Sequence, residues 1–241
     1  MRLITFGDSW VLGVGAEYQD GMSEEEYRKI AWSEPKICFR QLISNQLGLN
    51  NFNLSKGGSS NQTQFRLALE TFFGKDKINL QQSDIVLWGI TSVYRAELWD
   101  TDKSKFISIF LPEDSSTYSS ISKTLAIYHH SEEEELKILG HQMNMWNSYF
   151  KSKNIKNYWF NIFNDHSWDI NIDNFLFKDS SLLSLMIDDN KRNDKYHKSV
   201  WSFTDRKIKI AKEMKLVNPI SGHPTKKGHE IITDILMKEI K

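Results

Sequence analysis

Gly7-Asp8-Ser9, near the start of the chain, and Ser221-Gly222-His223-Pro224-Thr225, near its end, hold the residue types that nucleophilic catalysis needs. A serine hydroxyl is a weak nucleophile at neutral pH until a base takes its proton, and histidine is the side chain whose ordinary pKa suits that task. Ser9 is therefore the candidate nucleophile and His223 the candidate general base, provided the fold returns one to the other. The plainer alternatives are a turn serine that caps the following helix, and a turn histidine ahead of a helix capped by Thr225. The remaining chemistry-bearing residues point to less. His229 does not stand at the spacing of a usual zinc pair with His223 and reads as a packed helix histidine. His129-His130 beside the acidic run 132–135 reads as a solvated helix start. Gly57-Gly58-Ser59-Ser60 could hold a phosphate ahead of a helix, but no P-loop lysine pattern accompanies it. No metal and no organic cofactor are expected.

The elements that must position these residues follow from apolar periodicity. Residues 3–6 form a short apolar run ended by Gly7-Asp8-Ser9, the pattern of a buried parallel strand leaving its sheet at the carboxyl end. Helical spacing follows over 35–47, with Gly48 as a stop. A second strand is expected at 51–54 and a helix over about 62–73. Residues 84–90 (DIVLWGI) are almost wholly apolar and form the expected sheet centre. A helix covers 132–151, with acidic residues at its start and basic ones at its end. Strands are expected at 158–163 and 215–218, and a last helix at about 227–240. The polar stretches 96–131 and 165–205 show no sustained period and read as insertions near the site. Short apolar strands alternating with helices argue a doubly wound α/β domain with helices on both faces.

Four segments in this order, ITFGDSW, NLSKGGSSN, LWGITS and SGHPTKKGH, resemble the sequence blocks of the SGNH (GDSL) hydrolases. Together they span nearly the whole chain. The resemblance implies a single α/β domain over 1–241: a three-layer α/β/α fold around a flavodoxin-like parallel sheet of about five strands. It also implies that the Ser9 and Gly58 backbone N–H groups form an oxyanion hole, each donor contributing about 3 to 4 kcal/mol.

The sequence departs from the family pattern twice. The third oxyanion donor of the family is the asparagine of Gly-x-Asn; here Gly89-Ile90-Thr91 offers a threonine hydroxyl, with Asn61 near enough in sequence to the second block to compensate. The family also carries an aspartate two or three residues before its histidine, where this chain has Ser221 and Ile220. Without that carboxylate the imidazole loses the group that fixes its tautomer, a loss worth about 10⁴ in rate in a serine protease. Ser221, a backbone carbonyl, or Asp165 at the end of the strand 158–163 are the candidate orienting groups. Trp10, with Trp88 and Trp99, could wall the site and stack on a sugar or acyl group, and Arg95 could meet an anionic or carbonyl group of a substrate.

Composition narrows the class further. The 31 basic and 31 acidic side chains of the 241 residues cancel, so no global field favours nucleic acid or an anionic membrane. No uncharged apolar stretch approaches the roughly 18 residues of a spanning helix, and residues 1–10 lack a signal-peptide pattern, so a soluble protein is expected. Cys38 is the single cysteine and reads as a buried small hydrophobe, in keeping with a reducing, cytoplasmic setting. The expected activity is serine-dependent cleavage of a small ester, with an O-acetyl group on a carbohydrate as the family's analogy. The alternative is a catalytically silent member of the same fold acting as a binding or structural component.

Overall fold

The computed structural model describes residues 1–33, 35–111, 119–128, 130–166, 168, 171–187 and 200–240. Strand β1 (Arg2–Phe6) is buried on both faces apart from Arg2, whose guanidinium pairs with the fully buried Asp84 at 2.6 Å. It leads through Gly7 and Asp8 into the single turn α1 (Ser9–Leu12). Helices α2 (Glu24–Ile30) and α3 (Phe39–Leu47) follow. α2 starts on a reciprocal Ser23–Glu26 capping box, and α3 stops at Gly48 in the left-handed region, φ 65°. Next come β2 (Asn50–Asn53), α4 (Asn61–Phe73), capped by the Ser60 side chain, and β3 (Ile85–Ile90), every residue of which is buried.

A hairpin of β4 (Arg95–Asp100) and β5 (Lys105–Phe110) stands outside the main sheet, followed by α5 (Ser119–Tyr128) and the long α6 (Glu132–Ser152). The four acidic residues in the first turn of α6 face the positive end of its dipole. The chain closes through β6 (Lys156–Asn161), α7 (Leu182–Met186), α8 (Val200–Glu213) and α9 (Lys226–Met237).

The main sheet is parallel with the order β2-β1-β3-β6. Among the described residues it has four strands rather than about five. Beside β6, two single-residue parallel bridges, Trp159 to Phe175 and Asn161 to Ser181, occupy the next position. Residues 215–218 are not a sheet strand either. Val217 bridges only to Pro224, because this segment folds back on itself to carry the loop before α9.

Successive strand residues point to opposite faces. Leu3, Leu87 and Phe160 pack with α3, α7, α8 and α9, and Ile4, Phe6, Val86, Trp88 and Trp159 pack with α4 and α6. On the second face Phe6, Trp88 and Trp159 are register neighbours across three strands, with ring centroids 4.1 and 4.7 Å apart in stacked geometry. The aromatic-rich face is covered completely, which leaves the carboxyl ends of the strands as the open edge where a site can form.

The segment 96–131 is not structureless. The β4 and β5 strands pair from Arg95–Phe110 to Asp100–Lys105, and the hairpin is held on α4 by Arg66, which donates twice to Glu97 at 2.8 and 2.9 Å. This docking fixes Arg95 at the start of β4 beside the end of β3. Within 165–205, α7 and the start of α8 are ordered elements, and residues 188–199 of that stretch lie outside the described residues.

Candidate active site

The turn after β1 is built for close approach. A Cβ on Gly7 would lie 2.2 Å from Val11 Cγ2, so only glycine lets α1 fold directly onto the strand end. Asp8 then caps α1, its Oδ1 accepting the Trp10 N–H at 2.9 Å. Its Oδ2 accepts from the Thr91 hydroxyl at 3.0 Å and from Arg95 Nη1 at 2.9 Å. A fully buried carboxylate thus ties together the ends of β1 and β3 and the start of β4.

Ser9 occupies the first helical position, where a backbone N–H has no intrahelical acceptor. Its side chain is 5% exposed, and its Oγ lies 2.8 Å from His223 Nε2. His223 comes from the loop between α8 and α9. That loop is closed by hydrogen bonds from the Asn218 backbone and side chain to the His223 carbonyl at 2.8 and 3.0 Å, and from Thr225 N–H to the Leu216 carbonyl at 2.9 Å. Gly15, with φ 95°, packs beneath it; a Cβ there would come within 2.8 Å of His223 Cβ and 2.7 Å of the Pro224 carbonyl. Burial pulls the His223 pKa down to about 4, with Arg95 pushing the same way and Asp8 opposing. At neutral pH the imidazole is uncharged, the form a general base requires.

His223 Nδ1 meets the Ser221 hydroxyl at 2.7 Å. Asp165 lies elsewhere. Its carboxylate accepts from Ser181 N–H at 2.6 Å and Ser184 Oγ at 2.8 Å and forms an ion pair with the buried Lys207, which fastens α7 and α8 to the end of β6. It is a structural tie, and the candidate role of orienting His223 falls to Ser221.

A cavity of about 340 Å³ opens over Ser9 and His223, walled by Trp10, Phe110, Phe163, Ile208 and Ile220, with Arg95 and Lys212 bringing positive charge. Trp10 meets Phe163 edge to face at 4.9 Å. The Arg95 guanidinium lies over Phe110 and Phe163, 5.2 and 5.7 Å from their ring centres. Trp88 lies within the core and Trp99 on the outer side of the hairpin, so neither joins the wall.

The three further expected donors fare differently. The Thr91 hydroxyl is engaged by Asp8, and Asn61 clamps the Thr91 backbone in both directions at 3.0 Å, so neither side chain faces the cavity as an open donor. Gly58, at φ 72°, is exposed in the loop before α4 and is not among the cavity's lining residues. That loop is nonetheless anchored beside the nucleophile, since Lys56 N–H and Ser59 Oγ donate to the Gly7 carbonyl at 3.1 and 2.8 Å.

Phe110, Phe163, Ile208, Tyr27 and Asn218 belong to the site's surroundings without any short motif marking them. The Asn-Pro pair at 218–219 is a turn signal that could have drawn attention to Asn218. Among the described residues, no group of three His, Cys, Asp or Glu side chains could hold a metal, and no helix is long and apolar enough to cross a membrane.

No family model and no curated protein matches the sequence. Among solved structures, the chain is similar to a carbohydrate esterase whose active site displays divergent catalytic and non-catalytic binding functions: 12% identity, TM-score 0.46, covering 98% of this chain and 67% of that one. It is also similar to a protein from Parabacteroides merdae ATCC 43184 assigned as a GDSL-like lipase, at 12% identity and TM-score 0.38, covering 99% of this chain and 94% of that one. The roles of individual residues therefore rest on the geometry of this chain.

Proposed function

We propose that the chain is a serine hydrolase that cleaves small esters through an acyl-enzyme. The observation that carries this reading is the 2.8 Å contact between Ser9 Oγ and a neutral His223 Nε2 at the floor of a cavity. In this mechanism Ser9 Oγ attacks the ester carbonyl as its proton passes to His223 Nε2. The Ser9 N–H meets the tetrahedral oxyanion, with the Gly58 N–H of the neighbouring anchored loop as the second donor that the family pattern implies and the positive charge of Arg95 beside them. The imidazolium then protonates the departing alkoxide. Water, deprotonated by the same nitrogen, attacks the acyl-enzyme, and the acid leaves with Ser9 restored.

A cavity of about 340 Å³ sits at the low end of ligand pockets, which favours a small acyl group such as acetyl. The aromatic wall of Trp10, Phe110 and Phe163 favours a carbohydrate as the alcohol. A silent binding protein is the second reading, favoured by one observation: Asp8 already engages the Thr91 hydroxyl.

Hydrolysis of p-nitrophenyl acetate by the native chain, Ser9→Ala and His223→Ala, together with labelling by a fluorophosphonate, tests the two. Labelling at Ser9 and turnover lost in both variants is the expected result. Absence of labelling and of turnover in the native chain overturns the hydrolase reading and leaves the binding role.

A further inference from the structure

We propose that Ser221, Asn218 and Tyr27 form an uncharged hydrogen-bond relay of fixed direction that holds His223 in the Nδ1–H tautomer, in place of a carboxylate. The proposal rests on the assignment of His223 as the base for Ser9, and names the residues that position it.

The direction of the relay follows from counting donors. Asn218 is fully buried, and two backbone groups determine which way its amide points. Its Oδ1 accepts the Ser221 N–H at 2.8 Å, and its Nδ2 donates to the His223 carbonyl at 3.0 Å. Turned over, the amide would set an NH₂ against an N–H and an oxygen against an oxygen. Asn218 Oδ1 also stands 3.0 Å from Ser221 Oγ, and since a carbonyl oxygen can only accept, the single Ser221 hydroxyl proton is committed there.

Ser221 Oγ has two further neighbours, Tyr27 OH at 2.7 Å and His223 Nδ1 at 2.7 Å, and toward both it can only accept. Tyr27 therefore donates to Ser221, while its own oxygen accepts from Asn218 Nδ2 at 3.4 Å. Nδ1 must carry the ring proton. Nε2 is left with its lone pair toward Ser9 Oγ, the form competent to take the serine's proton.

The far end of the relay is anchored in a different part of the fold. Tyr27 lies on α2, 3% exposed, in a small apolar cluster with Val14 and Ala31 and edge to face with Tyr18 at 5.9 Å. A stretch of chain otherwise remote from the strand ends thereby reaches the base. The relay fixes orientation without placing a negative charge next to the ring, in keeping with an imidazole whose pKa burial lowers rather than raises.

The test is nitrogen-15 spectroscopy of histidine-labelled full-length protein at neutral pH, with the His223 signal assigned by its loss in His223→Ala. The expected native pattern is a protonated Nδ1 and a bare Nε2. In Ser221→Ala the ring shifts toward the Nε2–H form and kcat for p-nitrophenyl acetate falls about tenfold with KM unchanged, a drop on the scale of one lost hydrogen bond to a charged group. Ser221→Thr restores both. Tyr27→Phe keeps the tautomer, because Asn218 still commits the Ser221 proton, and lowers kcat about threefold.

A native Nε2–H pattern, or an Nδ1–H pattern that survives in Ser221→Ala, overturns the relay. The spectrum needs no turnover. A chain that resists fluorophosphonate yet loses the Nδ1–H form in Ser221→Ala keeps the relay and loses the hydrolase reading. An active chain whose tautomer ignores Ser221 does the reverse.

Discussion

Two strand ends of the sheet each carry an acid next to the open edge, and the two acids do different things. At the end of β1, Asp8 gathers Trp10 N–H, Thr91 and Arg95 around the residue that follows it, Ser9. At the end of β6, Asp165 gathers Ser181, Ser184 and Lys207, all of which belong to α7 and α8 or their approach. Both carboxylates are placed by the same rule, that strands of a parallel sheet deliver their last residues to one crevice. What separates them is the neighbouring strand. β1 is central, so its terminal acid is reached by donors from β3 and from the hairpin. β6 borders the helical connection, so its acid is used to fasten helices. Asp8 holds two residues that themselves line the cavity, Trp10 and Arg95, whereas none of the partners of Asp165 is among the lining residues.

The largest effect that sharpens this contrast is at Ser9 itself. Ser9→Ala should lower p-nitrophenyl acetate turnover by up to about 10⁶, the scale seen when a nucleophile is removed, with the unfolding midpoint in urea nearly unchanged. A residual rate within tenfold of native would remove Ser9 from the chemistry. Next, Asp8→Ala and Asp165→Ala should each cost about 3 kcal/mol of stability, since each takes the carboxylate from a buried or half-buried cation. Only Asp8→Ala should also change kcat per fluorophosphonate-titratable site, because Arg95 and Thr91 lose the group that holds them. Equal kcat losses in the two variants would break the comparison.

A smaller effect is expected when charge is returned to the relay. Ser221→Asp places a carboxylate beside Nδ1 and should move the acid limb of kcat/KM up by about one to two pH units from its native position near 4. Burial sets most of the native value, with Asp8 and Arg95 the charged groups that act on it; Asp205 and Lys212 also line the cavity. A limb that stays in place would mean that residue 221 does not face the ring.

The last effect concerns the two histidines of the last segment. Burial lowers His223 to about 4 and the fully buried His229 to about 3, so the unfolded chain binds more protons than the folded one below pH 6.5. Stability is therefore full above pH 6.5 and declines as the pH falls toward 4 and then 3. Thermal melts from pH 7 to pH 4 should show this decline, and His223→Ala should make it shallower. A flat profile would contradict the burial of both rings.

Local pattern carried the fold a long way. β1, β3, α4, α6 and α9 stand within a residue or three of where apolar periodicity predicts them, because each buries a face whose spacing is set by its own backbone. Ser9 sits at the edge to which the parallel sheet delivers its turns, and the loop between α8 and α9 brings His223 to it. The hairpin is not legible in the sequence because its alternation, Ala96 and Leu98 against Ile107 and Ile109, is interleaved with charged residues that are half-buried on α4 rather than solvated. For Asp165 the position is legible, but its partners come from 181, 184 and 207, which no local pattern links to it. Tyr27 stands 194 residues from Ser221, and no spacing rule links them. Donor counting across the folded loop is what joins them.

The stacked column of Phe6, Trp88 and Trp159 crosses three of the four strands of the main sheet. Trp88 and Trp159 stack with their planes 18° apart, and Trp88 also meets Trp146 of α6 at 5.6 Å, so the near-ultraviolet circular dichroism of these indoles should fall when the aromatic face of β3 and β6 comes apart. The aromatic face of the sheet thus carries its own optical signal of packing, readable without a label.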